Sequence, residues 1–125
     1  MAKLLFNYQF MEKEYDIDSF GKNEIYIGRV DSTDITIPDY NVFKKLPKDV
    51  QKSYVSDLVK ISRVHARLIK KDNKWFIEDI GTKGLGSNFG TYVNDARLEV
   101  KKPYNLQDND KIRLGQLFVL LKNNL

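Results

Sequence analysis

Ile61-Ser62-Arg63-Val64-His65-Ala66 places a hydroxyl, a guanidinium and an imidazole within four residues, directly ahead of an alternating run. In that run Ala66 and Leu68 face one way, Arg67 and Ile69 the other. A period of two marks a half-buried strand, so the polar groups stand at a strand's mouth. His65 is the only histidine of the chain. Two other stretches share this character. Gly28-Arg29 follows the apolar Ile25-Tyr26-Ile27, and Ser87-Asn88-Phe89-Gly90-Thr91-Tyr92-Val93-Asn94 lies downstream. A fold that gathers these loop ends makes a small site of positive charge and hydroxyl donors, which suits an oxyanion such as phosphate.

Outward from this centre the chain reads as short strands between turns. Residues 4–10, 15–18, 24–27 and 35–37 precede the central stretch, and the breaks between them hold Gly21-Lys22-Asn23, Asp31-Ser32-Thr33-Asp34 and Pro38-Asp39. After it come residues 65–70 and 74–79 around Lys71-Asp72-Asn73, which predicts a hairpin. Residues 80–89 form a loop with three glycines; residues 91–93 are a strand and Asn94-Asp95 a tight turn. Residues 96–100, 104–106, 111–114 and 117–121 complete the series. Short strands at this regular spacing predict a β-sandwich.

One segment departs from the rhythm. Pro47 can open a helix, because its missing N–H has no helical partner there anyway. Val50, Tyr54, Val55, Leu58 and Val59 then recur at helical spacing among polar residues. The pattern predicts a short amphipathic helix over residues 47–59. Its apolar stripe either packs on the sandwich or borders the loops at Ser62.

Composition narrows the chemistry. The chain has 125 residues, enough for one core, and its net charge of +4 only mildly favours anionic partners. Without cysteine there is no disulfide, thiolate catalysis or cysteine zinc site, and a single histidine argues against a histidine metal site. No run approaches the roughly 20 apolar residues of a membrane span. The first residues turn polar at Asn7 and hold no signal-peptide core, so a cytoplasmic location is expected. Gly84, Gly86 and Gly90 do not fit a nucleotide-binding loop, since three residues separate the last two where that motif has two. No nucleophile and base, and no metal set, can be assembled, so an enzyme is not expected. No block of aromatic and basic residues suggests nucleic acid, because most Tyr and Phe lie at strand positions that read as core.

With its segments placed, the chain resembles a forkhead-associated (FHA) domain, a phosphothreonine-peptide reader built on a β-sandwich. The resemblance rests on Gly28-Arg29, Ser62-Arg63-Val64-His65, Asp79-Ile80-Gly81, Gly90-Thr91-Tyr92-Val93-Asn94 and the run from Leu106 through Asp110-Lys111-Ile112 to Gly115. In that order they cover about residues 4–121. The resemblance implies an all-β FHA-type sandwich of about ten short strands with the helical insertion at Pro47 to Val59. It implies one domain over residues 1–125, non-enzymatic, with no cofactor and no metal. It further implies a phosphothreonine-containing partner protein, an upstream serine/threonine kinase, and neither nucleic acid nor membrane as partner.

Residue by residue, the resemblance gives Arg29 and Ser62 the phosphate and Arg63 the peptide backbone. Counting back from Gly90-Thr91, Asn88 falls where a polar side chain or backbone N–H meets the phosphate, and Ser87 stands at the serine of the family's Ser-x-Asn pattern in this phosphopeptide-binding loop. Lys60 stands where family members choose the third residue after the phosphothreonine, and a lysine there favours Asp or Glu. Gly28, His65, Gly90, Thr91 and Asn94 take loop-supporting roles. Two features depart from the family pattern. Phe89 replaces an asparagine that grips peptide backbone, and Thr82-Lys83-Gly84-Leu85-Gly86 looks inserted. Depending on where that insertion is placed, Thr82 or Ser87 is the family's serine. These departures support an alternative function, a phosphate-independent FHA-like scaffold that uses the inserted helix.

Overall fold

The computed structural model describes residues 1–123 and builds two sheets from eleven strands. The first half holds β1 (Ala2–Phe6), β2 (Glu14–Asp16), β3 (Glu24–Gly28) and β4 (Ile35–Thr36), then the helices α1 (Tyr40–Phe43) and α2 (Lys48–Leu58). The second half holds β5 (Ala66–Lys71), β6 (Lys74–Asp79), β7 (Thr91–Val93), β8 (Ala96–Arg97), β9 (Tyr104–Asn105), β10 (Lys111–Leu114) and β11 (Leu117–Asn123). One sheet runs β2-β1-β11-β10-β7-β8 and the other β4-β3-β5-β6-β9. The architecture is the expected FHA-type sandwich with few short helices.

Alternation along the strands makes the core. Leu4, Phe6, Ile112, Leu114, Val119 and Leu121 of the six-stranded sheet share one buried cluster with Ile25, Ile27, Leu68 and Ile77 of the other. Each such side chain removed from water contributes about 1.5–3 kcal/mol. Two hairpins turn on pairs of residues with positive φ, Asp72-Asn73 between β5 and β6 and Asn94-Asp95 between β7 and β8. Asn and Asp tolerate that backbone, and its twist matches that of the paired strands.

Several boundaries differ from those read in sequence. The first strand ends at Phe6, and Tyr8 leaves it to accept the Phe118 N–H on its hydroxyl at 2.9 Å. The return strand stops at Asp16, because that carboxylate caps the following 3-10 turn at Ile17–Phe20 by accepting the Asp18 N–H. Asp18 in turn accepts from the Ala2 N–H, Lys70 Nζ and Trp75 Nε1 at 2.7, 2.9 and 3.0 Å, tying three segments together. Burial pushes its pKa up, but these donors outweigh it and hold the carboxyl at about 2. The helix α1, capped by Asp39 on the Asn41 N–H, has no counterpart in the sequence reading.

The inserted helix splits its apolar residues between two faces. Tyr54 meets Phe10 edge-on at 4.8 Å and Leu58 is buried, so this side packs on the sandwich. Val55 and Val59 point to solvent, 49% and 57% exposed. Both expectations for the helix therefore hold in part, since Val59 reaches the loops beyond.

Candidate functional site: a cationic cleft between three loops

Three chain segments meet at one end of the sandwich. The Arg29 and Val30 N–H groups donate to the Ser62 and Arg63 carbonyls at 3.1 and 3.2 Å, which zips the end of β3 to the Ser62 turn. This close approach requires Gly28, where a methyl group would lie 2.1 Å from the Arg63 carbonyl oxygen. His65 joins the third segment. Its Nε2 lies 2.9 Å from the Gly90 carbonyl, and its Nδ1 accepts the Ser62 N–H at 3.1 Å. The ring is buried; burial lowers its pKa and outweighs the Gly90 carbonyl and Asp79, which raise it. It is thus a neutral brace.

Between the segments opens a cleft of about 660 Å³. Arg29, Arg63 and Lys83 line it, and among the described residues no carboxylate does. The Arg29 Nε donates to the Ile61 carbonyl at 3.0 Å, which anchors the guanidinium while both Nη groups have no partner among the described residues. The Ser62 Oγ accepts the Asn88 N–H at 3.2 Å and keeps its own proton to donate. Arg63 and Asn88 are exposed on the cleft wall. The arrangement presents fixed cations and a hydroxyl donor to one small volume, which is the chemistry of oxyanion binding.

The remaining candidates divide. Ser87 is only 8% exposed, and its Oγ accepts the Gly90 N–H at 3.0 Å, while its own N–H donates to Asp79. Its hydroxyl therefore serves the loop. Thr82, the other candidate for that serine, lines the cleft and accepts the Val64 N–H at 3.2 Å. Thr91 is fully buried, and its hydroxyl has no partner among the described residues. Asn94 lies at the far end of β7, where it bridges Asp110 and the Lys111 N–H. Lys60 is not among the residues lining the cleft, its backbone lying against Gly115, whereas Lys83 of the loop after β6 is. Phe89 is 47% exposed outside the cleft lining. Val59 of the predicted apolar stripe borders the cleft, whereas no signal in the sequence marked Lys83 and Leu85 of the inserted loop as its wall.

These features define a family. The FHA domain model matches residues 25–115, and the chain belongs to the FHA domain family. Over 59 residues the chain is 37% identical to the probable E3 ubiquitin-protein ligase dma1 of Schizosaccharomyces pombe, a match covering 44% of this chain and 20% of that protein. The matched stretch thus spans only about a fifth of that relative's length. Among solved structures it is similar to the FHA domain of CT664 from Chlamydia trachomatis, with a TM-score of 0.68 and 25% identity, covering 99% of this chain and 98% of that one. It shares the fold of an FHA domain solved in a study of phosphothreonine-dependent interactions, with a TM-score of 0.66, 19% identity, and coverage of 99% and 97%. Among the described residues no helix is long and apolar enough to cross a membrane.

Proposed function

We propose that this chain is a non-catalytic module that binds phosphothreonine in a partner protein, after a serine/threonine kinase has modified that partner. The observation that carries the reading is the cleft with three cations, no carboxylate among the described residues, and a hydroxyl free to donate. A phosphate ester carries about −1.5 to −2 charge at neutral pH. Arg29 forks onto its oxygens through the unpartnered Nη groups, and Ser62 donates to a third. Arg63 and the Asn88 side chain hold peptide backbone. Gly28, His65, Ser87 and Gly90 keep the loops in place. Lys83, on the cleft wall, favours an acidic residue near the phosphothreonine, the selection that the sequence had suggested for Lys60. A few charge-assisted bonds of about 1.5–3 kcal/mol each, less the ordering of the peptide, support micromolar affinity, about −8 kcal/mol.

The test is an amide chemical-shift titration of the labelled protein with a degenerate phosphothreonine peptide pool. The largest shifts are expected at Arg29, Ser62 and Asn88. An equal response to the unphosphorylated pool would overturn the reading in favour of a phosphate-independent scaffold, for which the exposed Val55 of α2 and Val59 at its C-terminal end are the support.

A further inference from the structure

The outer face of the six-stranded sheet carries a second ordered arrangement, and no residue of it lines the cationic cleft. Register places Leu5, Leu120 and Lys111 side by side in one row. The next row runs Phe118, Arg113, Tyr92, Arg97. Phe118 is 46% exposed while Leu117 and Val119 on either side are buried. Leu5, Phe118 and Leu120 line a shallow groove of about 310 Å³ that Lys111 and Asn7 close. Single exposed apolar residues need no explanation, but a contiguous apolar groove on a sheet face does.

On the β10–β7–β8 side of the groove stand three cations. Arg113 lies 3.7 Å from the centre of the Tyr92 ring, Arg97 5.9 Å from the same ring, and Lys111 5.9 Å from that of Phe118. Among the described residues none of these three cations has a carboxylate partner. The opposite sheet differs, for there Arg67 is paired with both Glu24 and Glu78. On the β2 side Glu14 stands opposite Leu5 and is taken by Lys3, and Asp16 stands opposite Lys3. The face is therefore an apolar groove beside cations held in place by aromatic rings, with their charge uncompensated.

We infer that this face is a second docking surface, which takes an acidic segment of a partner protein through one aliphatic or aromatic anchor. Phe118, Leu5 and Leu120 receive the anchor; Lys111, Arg113 and Arg97 pair with the acidic residues beside it. A second copy of the chain fits poorly, because a twofold contact would bring like-charged faces together. Single-stranded nucleic acid needs open aromatic faces on which bases stack. Here Arg113 covers Tyr92, and the exposed Phe118 is flanked by aliphatic side chains. An acidic segment with an apolar residue satisfies both the groove and the charge.

The test uses the whole labelled chain and a short peptide of Asp and Glu residues around a central Leu-Phe pair. Its controls are the same peptide with Ser-Ser at the centre, one with Lys for the acids, and a short oligothymidine. Shifts are expected at Leu5, Lys111, Phe118 and Leu120, with the lysine peptide inert and the serine peptide about tenfold weaker. Phe118→Ser and Lys111→Glu are each expected to weaken binding by about tenfold while phosphothreonine binding is retained. Lys111 is exposed, so its variant keeps the test decisive even if Phe118→Ser folds poorly. Four results would overturn the inference: no shift at this face up to millimolar peptide, equal binding of the serine peptide, preferential binding of oligothymidine there, or self-association through the face.

Discussion

The Nε2 of His65 lies 2.9 Å from the carbonyl oxygen of Gly90, across 25 residues of chain. A carbonyl can only accept, so Nε2 carries the proton, and Nδ1 is left to accept the Ser62 N–H at 3.1 Å. One neutral ring therefore sets the distance between the loop that ends at Gly90 and the turn that carries Ser62. The Gly90 carbonyl also accepts the Gly115 N–H at 3.0 Å, which ties this brace to the β10–β11 turn.

That brace predicts a pH dependence. Burial holds the His65 pKa below its ordinary value of 6.5, against the opposing pull of the Gly90 carbonyl and Asp79. The unfolded chain then binds the proton more readily than the folded one. The stability contributed by the neutral ring is full above 6.5 and is lost as pH falls through the folded value. Chemical denaturation between about pH 7.5 and about pH 5 is expected to show this decline, and a His65→Gln variant to lack that part of the slope. Identical slopes for the two proteins would contradict the role of the ring.

Gly28 makes a steric prediction. A methyl group there would sit 2.1 Å from the Arg63 carbonyl oxygen, on backbone that carries Arg29 on one side and Arg63 on the other. Gly28→Ala is expected to cost about 1–3 kcal/mol in denaturant unfolding. It is also expected to weaken phosphothreonine binding, because both cations shift with the backbone. An alanine variant with unchanged stability and binding would show that the two segments are less closely seated.

Thr91 makes the opposite kind of prediction. Its hydroxyl is buried without a partner among the described residues. Thr91→Val removes the unsatisfied group at nearly the same size, so a gain of about 1 kcal/mol is expected, read as a rise of about 3–5 °C in Tm. A fall in Tm would mean that the hydroxyl is engaged.

The parts legible in the sequence are those fixed by local chemistry. Alternation exposed the strands around Ile25 and Leu68, and Asp72-Asn73 and Asn94-Asp95 announced their turns because few other residues accept positive φ. Gly28-Arg29 and Ser62 to His65 stood at strand mouths, so their meeting followed from the sandwich. What stayed hidden depends on contacts distant in sequence. The path of the loop over residues 80–89 is set where Gly81 packs against the Gly86 carbonyl, and Gly86 against Val100. That path brings Lys83 and Leu85 to the cleft and buries Ser87, which composition alone does not reveal. Lys60 is close to Ser62 in sequence, yet its turn packs on Gly115. Tyr92 and Phe118 read as core because strands are rich in aromatics. Their register beside buried Val93 and Val119 sends them to the outer face, and that register is set by the pairing of β7, β10 and β11. The helix α1 spans only four residues, too few for periodicity to show.

The most direct measurement is a calorimetric titration with the phosphothreonine peptide pool, repeated with phosphoserine and unphosphorylated pools and with the Arg29→Ala protein. Micromolar binding of the phosphothreonine pool is expected, with weaker binding of the phosphoserine pool, no heat from the unphosphorylated one, and loss of at least about tenfold in affinity with Arg29→Ala. Binding that is indifferent to the phosphate, or that survives unchanged without Arg29, would contradict this reading.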